Sequence, residues 1–217
     1  MVDDTGTGRK PGRPRAVTTA QIMRAATEIA DADGLDRVSF RAVAARLEVS
    51  PMSVHRAFGG IEALHRALIE DLVGSVATTV HWPATWQGVL RTFAGELRAL
   101  LLRHPLVLES HRHAALEAPG ADDVAHRVVA ALRSAGLDEE SAAYAYATVH
   151  DFVTGHVAIR LGRGEFEFAD LPSARREASV FARHHDPVRR FALGLDILVS
   201  GIEHLAATTP APGNPDA

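Results

Sequence analysis

The sequence predicts an all-α protein, and three observations carry that expectation. Apolar residues recur at three- and four-residue spacing in one segment after another. Alternating strand patterns and Asn-Gly hairpin signals are missing. Residues 39 to 57 read as two short helices joined by a four-residue turn. At 217 residues the chain can form one small and one larger domain. We place a basic arm at 1–17, a small three-helix domain at 18–62, a larger helical domain at 63–206 and a tail at 207–217.

The first helix is expected from Thr18 and Gln21, which form a possible capping box, and from the stripe Ile22, Ala25, Ala26, Ile29 and Ala30, which Gly34 ends. In the helix pair, Val43, Ala44 and Leu47 recur on one face, Val49 plugs the turn, and Val54 with Phe58 gives the second helix its own buried stripe. Ser50 before Pro51 is a start signal: a serine hydroxyl can cap free N–H groups, and proline fits the first turn. This arrangement is the grammar of a helix-turn-helix. It leaves Met52, Ser53, His55 and Arg56 on the outer face near the start of the second helix, where side chains can meet base edges and phosphates in a major groove. Gly59-Gly60 then breaks the chain before Ile61, Leu64, Leu68, Leu72 and Val76, a connecting helix.

Residues 18 to 76 resemble the TetR (tetracycline repressor) family of transcription regulators, whose N-terminal pattern runs through Gly-Leu and Ser-Phe-Arg segments to a Ser-Pro-x-Ser-Val recognition helix. The resemblance implies double-stranded DNA as a partner, with Arg41, Pro51, Met52, Ser53, His55 and Arg56 at the interface. The chain departs from the family at His55, usually tyrosine, at Ile61, usually lysine, and at Glu48, often glycine. The tyrosine and lysine hold phosphate in the family, so phosphate contact falls here to Ser53, His55 and Arg56. If position 48 needs a left-handed backbone, its glutamate costs on the order of 1 kcal/mol.

A second source of phosphate contact is Arg9-Lys10-Pro11-Gly12-Arg13-Pro14-Arg15, which is basic, proline-stiffened and without an apolar stripe. Its Gly-Arg-Pro core resembles an AT-hook, which lays arginine along a narrow minor groove; Arg13 is the groove candidate, and Arg15 is a further DNA-binding candidate in the arm. Charge is split accordingly. Residues 9 to 60 hold nine Lys or Arg against five Asp or Glu, whereas residues 61 to 217 hold fourteen against twenty. Such a molecule touches DNA through one end. No run of eighteen apolar residues and no signal-peptide core is found, so a cytoplasmic protein without a membrane role is expected. The absence of cysteine excludes disulfides and thiolate metal sites.

Beyond residue 80 only helices are expected: Trp86 to Arg103, a shorter one near 105 to 117, 121 to 135 closed by Gly136, Ser141 to about Leu161, and about Pro187 to Ala206. Asp138, Glu139 and Glu140 place acid at the positive end of the fourth. That fourth helix is apolar on nearly every side and needs partners all round. The last has Gly194 and Gly201 seven apart, small residues that let another helix come close. In the resembled family the last two long helices pair with their copies, so the resemblance implies a homodimer, a palindromic operator and a repressor released by a small organic effector.

For that effector, Trp86, His104, His111, Phe152 and His156 sit on segments resembling the family's pocket-lining helices. The family's founding member binds a drug with magnesium through a glutamate one turn beyond Phe-x-x-Gly. Here Phe152-x-x-Gly155 is followed by Ile159, so that drug-metal site is not expected. The twelve histidines show no i, i+4 pairing with a nearby carboxylate, and no metal or other cofactor is expected. An enzyme is not expected either. There is no phosphate loop, nucleophile elbow or His-Glu-x-x-His, and neighbouring His150 and Asp151 point about 100 degrees apart on a helix. The alternative is a DNA-tethered module whose larger domain binds another protein, which a large exposed apolar patch would favour.

Overall fold

The structure is a computed structural model that describes residues 17–110, 119–162, 172–184 and 186–208. Among these residues every regular element is helical and no strand is found. The chain forms two compact units, Met1–Ala67 and Leu68–Ala217.

In the first unit, α1 (Thr19–Asp33) starts on the expected capping box. The Gln21 amide donates to Thr18 Oγ1 at 3.2 Å, and the Thr18 amide donates to Gln21 Oε1 at 3.0 Å. Its buried residues are the five of the expected stripe. Gly34 then takes φ 91° and ψ 158°, a backbone region open essentially to glycine alone, and a single 3-10 turn follows at Leu35–Arg37. Helix α2 (Phe40–Leu47) is capped by Ser39, whose hydroxyl accepts from the Ala42 amide at 3.1 Å. It packs against α1 and α3 (Pro51–Phe58) through fully buried Val43 and Val54. Burial of each valine supplies about 1.5–3 kcal/mol.

The turn between α2 and α3 is three residues, Glu48 to Ser50, one shorter than expected. Glu48 adopts φ 55° and ψ 42°, the left-handed conformation in which the family favours glycine. The expected cap at Ser50 is not made: its hydroxyl lies 2.9 Å from the Ser53 hydroxyl instead of accepting from an amide. A neighbouring hydroxyl competes successfully with the backbone donor there. Helix α4 (Ile61–Thr79) carries the chain from the first unit to the second, and its His65 Nε2 sits 3.2 Å from the Val38 carbonyl oxygen.

The second unit is organised around α8 (Glu139–Gly162), against which α5 (Trp86–Arg103), α7 (Pro119–Ser134) and α11 (Pro187–Thr208) pack. Asp138 opens α8 by accepting from the Ser141 amide at 2.7 Å, a hydrogen bond that holds its carboxyl below the usual carboxylate range. Short α6 (Pro105–Ser110) follows α5, and α9 (Ser173–Ala178) and α10 (Val180–Arg183) precede α11; these last two were not foreseen. Helix α11 runs to Thr208, two residues into the expected tail.

Two packing features of these helices bear on the expectations. Within one chain helix α8 is not covered all round: Tyr144 near its start is 66% exposed, and Ile159 near its end is exposed as well. Gly194 lets α8 come close through a side chain. A Cβ there would stand 2.5 Å from Phe152 Cζ, so its missing side chain makes room for a ring of α8, while Gly201 faces open space. Helix α11 has the length and hydropathy of a membrane span, yet Asp196 pairs with Arg91 and Glu203 accepts from Gln87, tying its polar side to α5.

Candidate functional site

The outer face of α3 is built by its own helical period. Val54 points inward, and Pro51, Met52, His55 and Arg56 are left exposed, with Ser53 partly so. Met52, an apolar side chain, is 59% exposed. Arg41 is exposed on α2. The turn sets the angle between these helices, since the Val49 amide donates back to the Ala44 carbonyl at 3.0 Å and buried Val43 and Val54 lock the pair.

Several of these side chains are already held. The His55 ring meets Phe40 edge to face at 5.3 Å between centroids, so the residue that replaces the family's tyrosine is braced by α2. Arg56 Nε donates to the Met52 carbonyl at 3.3 Å, and Ser53 shares its hydrogen bond with Ser50. These bonds are single and exposed, worth little against a phosphate or base edge that offers a charge-assisted replacement. A cationic, protruding face of this kind can donate to phosphate oxygens and base acceptors. Arg13 and Arg15 lie outside the described residues.

The five expected effector contacts do not gather in one place. Trp86 opens α5 and His104 ends it, about 27 Å apart along the axis at 1.5 Å per residue. His111 lies outside the described residues. Phe152 and His156 do come together on α8, with ring centroids 6.2 Å apart, and both pack on Phe191 of α11 at 5.6 and 5.2 Å. His156 is 7% exposed. Its Nε2 has no hydrogen-bond partner among the described residues. Burial, and after it the charges of Arg190, Arg98 and Arg160, push its pKa down to about 4.

Further residues emerge that no sequence signal picked out. Trp82 Nε1 is buried without a partner among the described residues, and the Arg127 guanidinium lies 5.6 Å from the centre of its ring. Tyr146 packs on Phe93 at 5.2 Å, and burial followed by the charge of Asp122 pushes its hydroxyl pKa up. Arg98 has a buried Nε without a partner among the described residues and stacks its guanidinium 4.9 Å over Phe191. Donors left open inside an apolar bundle mark places where a polar ligand group would be favoured. Neighbouring His150 and Asp151, expected to point apart, approach to 3.5 Å at the surface, at the limit of a hydrogen bond.

Comparison with known proteins agrees with this geometry. Residues 22–68 match the family described as bacterial regulatory proteins, tetR family, and residues 81–206 match the tetracyclin repressor-like C-terminal domain. A protein of Streptomyces coeruleorubidus named HTH-type transcriptional repressor DrrR1 is 31% identical over 168 residues, which are 74% of this chain and 61% of that protein. The chain spans about three-fifths of the length of the curated relatives it matches. Among solved structures, the Streptomyces coelicolor transcriptional regulator SCO7222 is similar with a TM-score of 0.72 at 21% identity, over 88% of this chain and 99% of that one. ActR from the same organism, in complex with actinorhodin, has a TM-score of 0.68 at 26% identity, over 88% of this chain and 98% of its own.

Proposed function

The chain belongs to the TetR family of DNA-binding transcriptional regulators, and we propose that it is a ligand-responsive repressor that binds a palindromic operator as a homodimer and leaves it when a small organic effector occupies the second unit. The observation that carries the dimer is the apolar side of α11, where Leu193 and Ile197 are 60% and 63% exposed and Leu205 continues the row one face along. Bare Tyr144, Ile159 and Leu161 on α8 add to it. An apolar stripe this long is covered in solution, and a second copy covers it symmetrically. Two recognition helices would then meet major-groove faces about 34 Å apart.

The effector reading is supported by the open donors of the second unit and by the similarity to ActR bound to actinorhodin; the repressor reading is supported by the relative named a repressor. Release follows if the effector binds better to the state whose helices miss the half-site spacing; a few kcal/mol of differential affinity suffices. The basic arm, with Arg13 and Arg15, would occupy the adjacent minor groove.

Selection of bound duplexes from a random library tests the proposal: an enriched two-fold palindrome is expected, and AT-rich sequences without symmetry would overturn it. The same apolar stripe also suits the alternative of a protein-interaction module. Sedimentation separates the two, since a stable dimer that Ile197→Glu dissociates supports the homodimer and a wild-type monomer supports the module.

A further inference from the structure

The junction of α5, α8 and α11 holds a positive cluster without an ion-pair partner among the described residues. Arg98 comes from α5, His156 and Arg160 from α8 and Arg190 from α11, and their order in space follows from contacts already given. The Arg98 guanidinium lies over Phe191, whose ring packs on His156. Arg160 stands one helical turn beyond His156 on the same face of α8, and Arg190 adjoins Phe191. Among the described residues none of the three arginines forms an ion pair, whereas Arg91, five residues from the helix start, pairs with Asp196 close by. Two buried donors, Arg98 Nε and His156 Nε2 in its protonated tautomer, remain open, and the Thr154 hydroxyl on the same helix is also buried without a partner.

Arg98 is partly buried with its Nε covered, and a covered donor beside like charges favours an acceptor anion brought from outside. The surroundings are apolar: Val153, Val157, Phe152 and Phe191 pack around His156. Arg160 and Arg190 are exposed, so the cluster opens to solvent on that side. We infer that this junction binds the carboxylate of an organic acid with an apolar body, held by Arg98 with His156 and drawn in by Arg160 and Arg190. The guanidinium fork of Arg98 matches a carboxylate, and an apolar body can lie against the partly exposed Phe152. Burial and the surrounding positive charge keep His156 neutral, so its imidazole can donate a hydrogen bond without adding a charge to the cluster.

The inference rests on the effector reading only for its consequence at DNA; binding itself is tested apart from it. Full-length protein is titrated calorimetrically with benzoate, 2-naphthoate and octanoate, each beside its amide, and with inorganic phosphate. One acid binding saturably at one site per chain, with its amide and phosphate failing, is the expected result. Arg98→Gln should weaken it by about tenfold or more, as loss of a hydrogen bond to a charged group does, and Arg98→Lys by less. Equal binding of acid and amide, an unchanged affinity in Arg98→Gln with folding verified by circular dichroism, or no binding by any acid would overturn the site. So would a shift of the monomer–dimer equilibrium in Arg98→Gln without acid binding, which would make a carboxylate of a second copy the counter-charge. An acid that binds but does not release selected operator DNA would leave the site standing and remove the effector role, which keeps the two failures distinct.

Discussion

Replacing His156 by leucine should flatten the acid sensitivity of the second unit. The imidazole is buried among Phe152, Phe191, Val153 and Val157, and the cations facing it are Arg98 from α5, Arg160 from α8 and Arg190 from α11. Its pKa is held at about 4 in the folded chain, against 6.5 when exposed. A depressed histidine favours the neutral form in the fold, so its contribution is present above pH 6.5 and lost as pH falls toward 4. Linkage makes the full loss about 3 kcal/mol at acid extreme, of which about 2 kcal/mol falls between pH 7 and pH 5. With a urea dependence of about 2 kcal/mol per molar, the midpoint should drop by about 1 M more in the wild type than in His156→Leu. Both tryptophans, Trp82 and Trp86, lie in the second unit, so their fluorescence reports its unfolding. All other titrating groups are shared and cancel in the difference. Because Nε2 has no partner to lose among the described residues, the variant should be at least as stable as the wild type at pH 7. Wild type and variant losing equal stability between pH 7 and pH 5 would refute the reasoning.

Val54→Ala, at a fully buried site, should cost about 2 kcal/mol and abolish operator binding, whereas Met52→Ala should stay within about 0.5 kcal/mol of wild-type stability yet weaken binding; thermal melts and gel shifts check both. Glu48→Gly should relieve the left-handed backbone and stabilise the first unit by about 1 kcal/mol, raising its melting temperature by several degrees; a fall would contradict the strain argument. Gly194→Ala should press on Phe152 and destabilise the second unit by about 1–3 kcal/mol in urea, while Gly201→Ala, with open space at its Cβ, should be neutral or better.

Much of the fold was legible because the signals act within one helical turn. Thr18 with Gln21, and Gly59, meet partners three or four residues away, and they and Pro51 start or end helices where expected. Ser50 was misread for the same local reason, since Ser53 offers its hydroxyl a nearer partner than the amide. Helices α9 and α10, at six and four residues, are too short to show a period. The recognition face could be read because a helix that buries Val54 must expose His55 and Arg56.

The sequence by itself determined which segments are helical, which face of each is apolar and where the positive charge of the first unit lies, because periodicity, capping and charge balance are properties of neighbours along the chain. Only the tertiary structure decided which apolar sides stay bare and which polar groups meet. The all-round apolar character of α8 was visible, but not that α5, α7 and α11 cover it and leave Tyr144 and Ile159 open. Trp86 and His104 were separated by the straightness of one helix, while Arg98, His156 and Arg190 were joined from three. Packing brings together residues that no sequence interval connects, and Coulomb and stacking forces depend on distance through space.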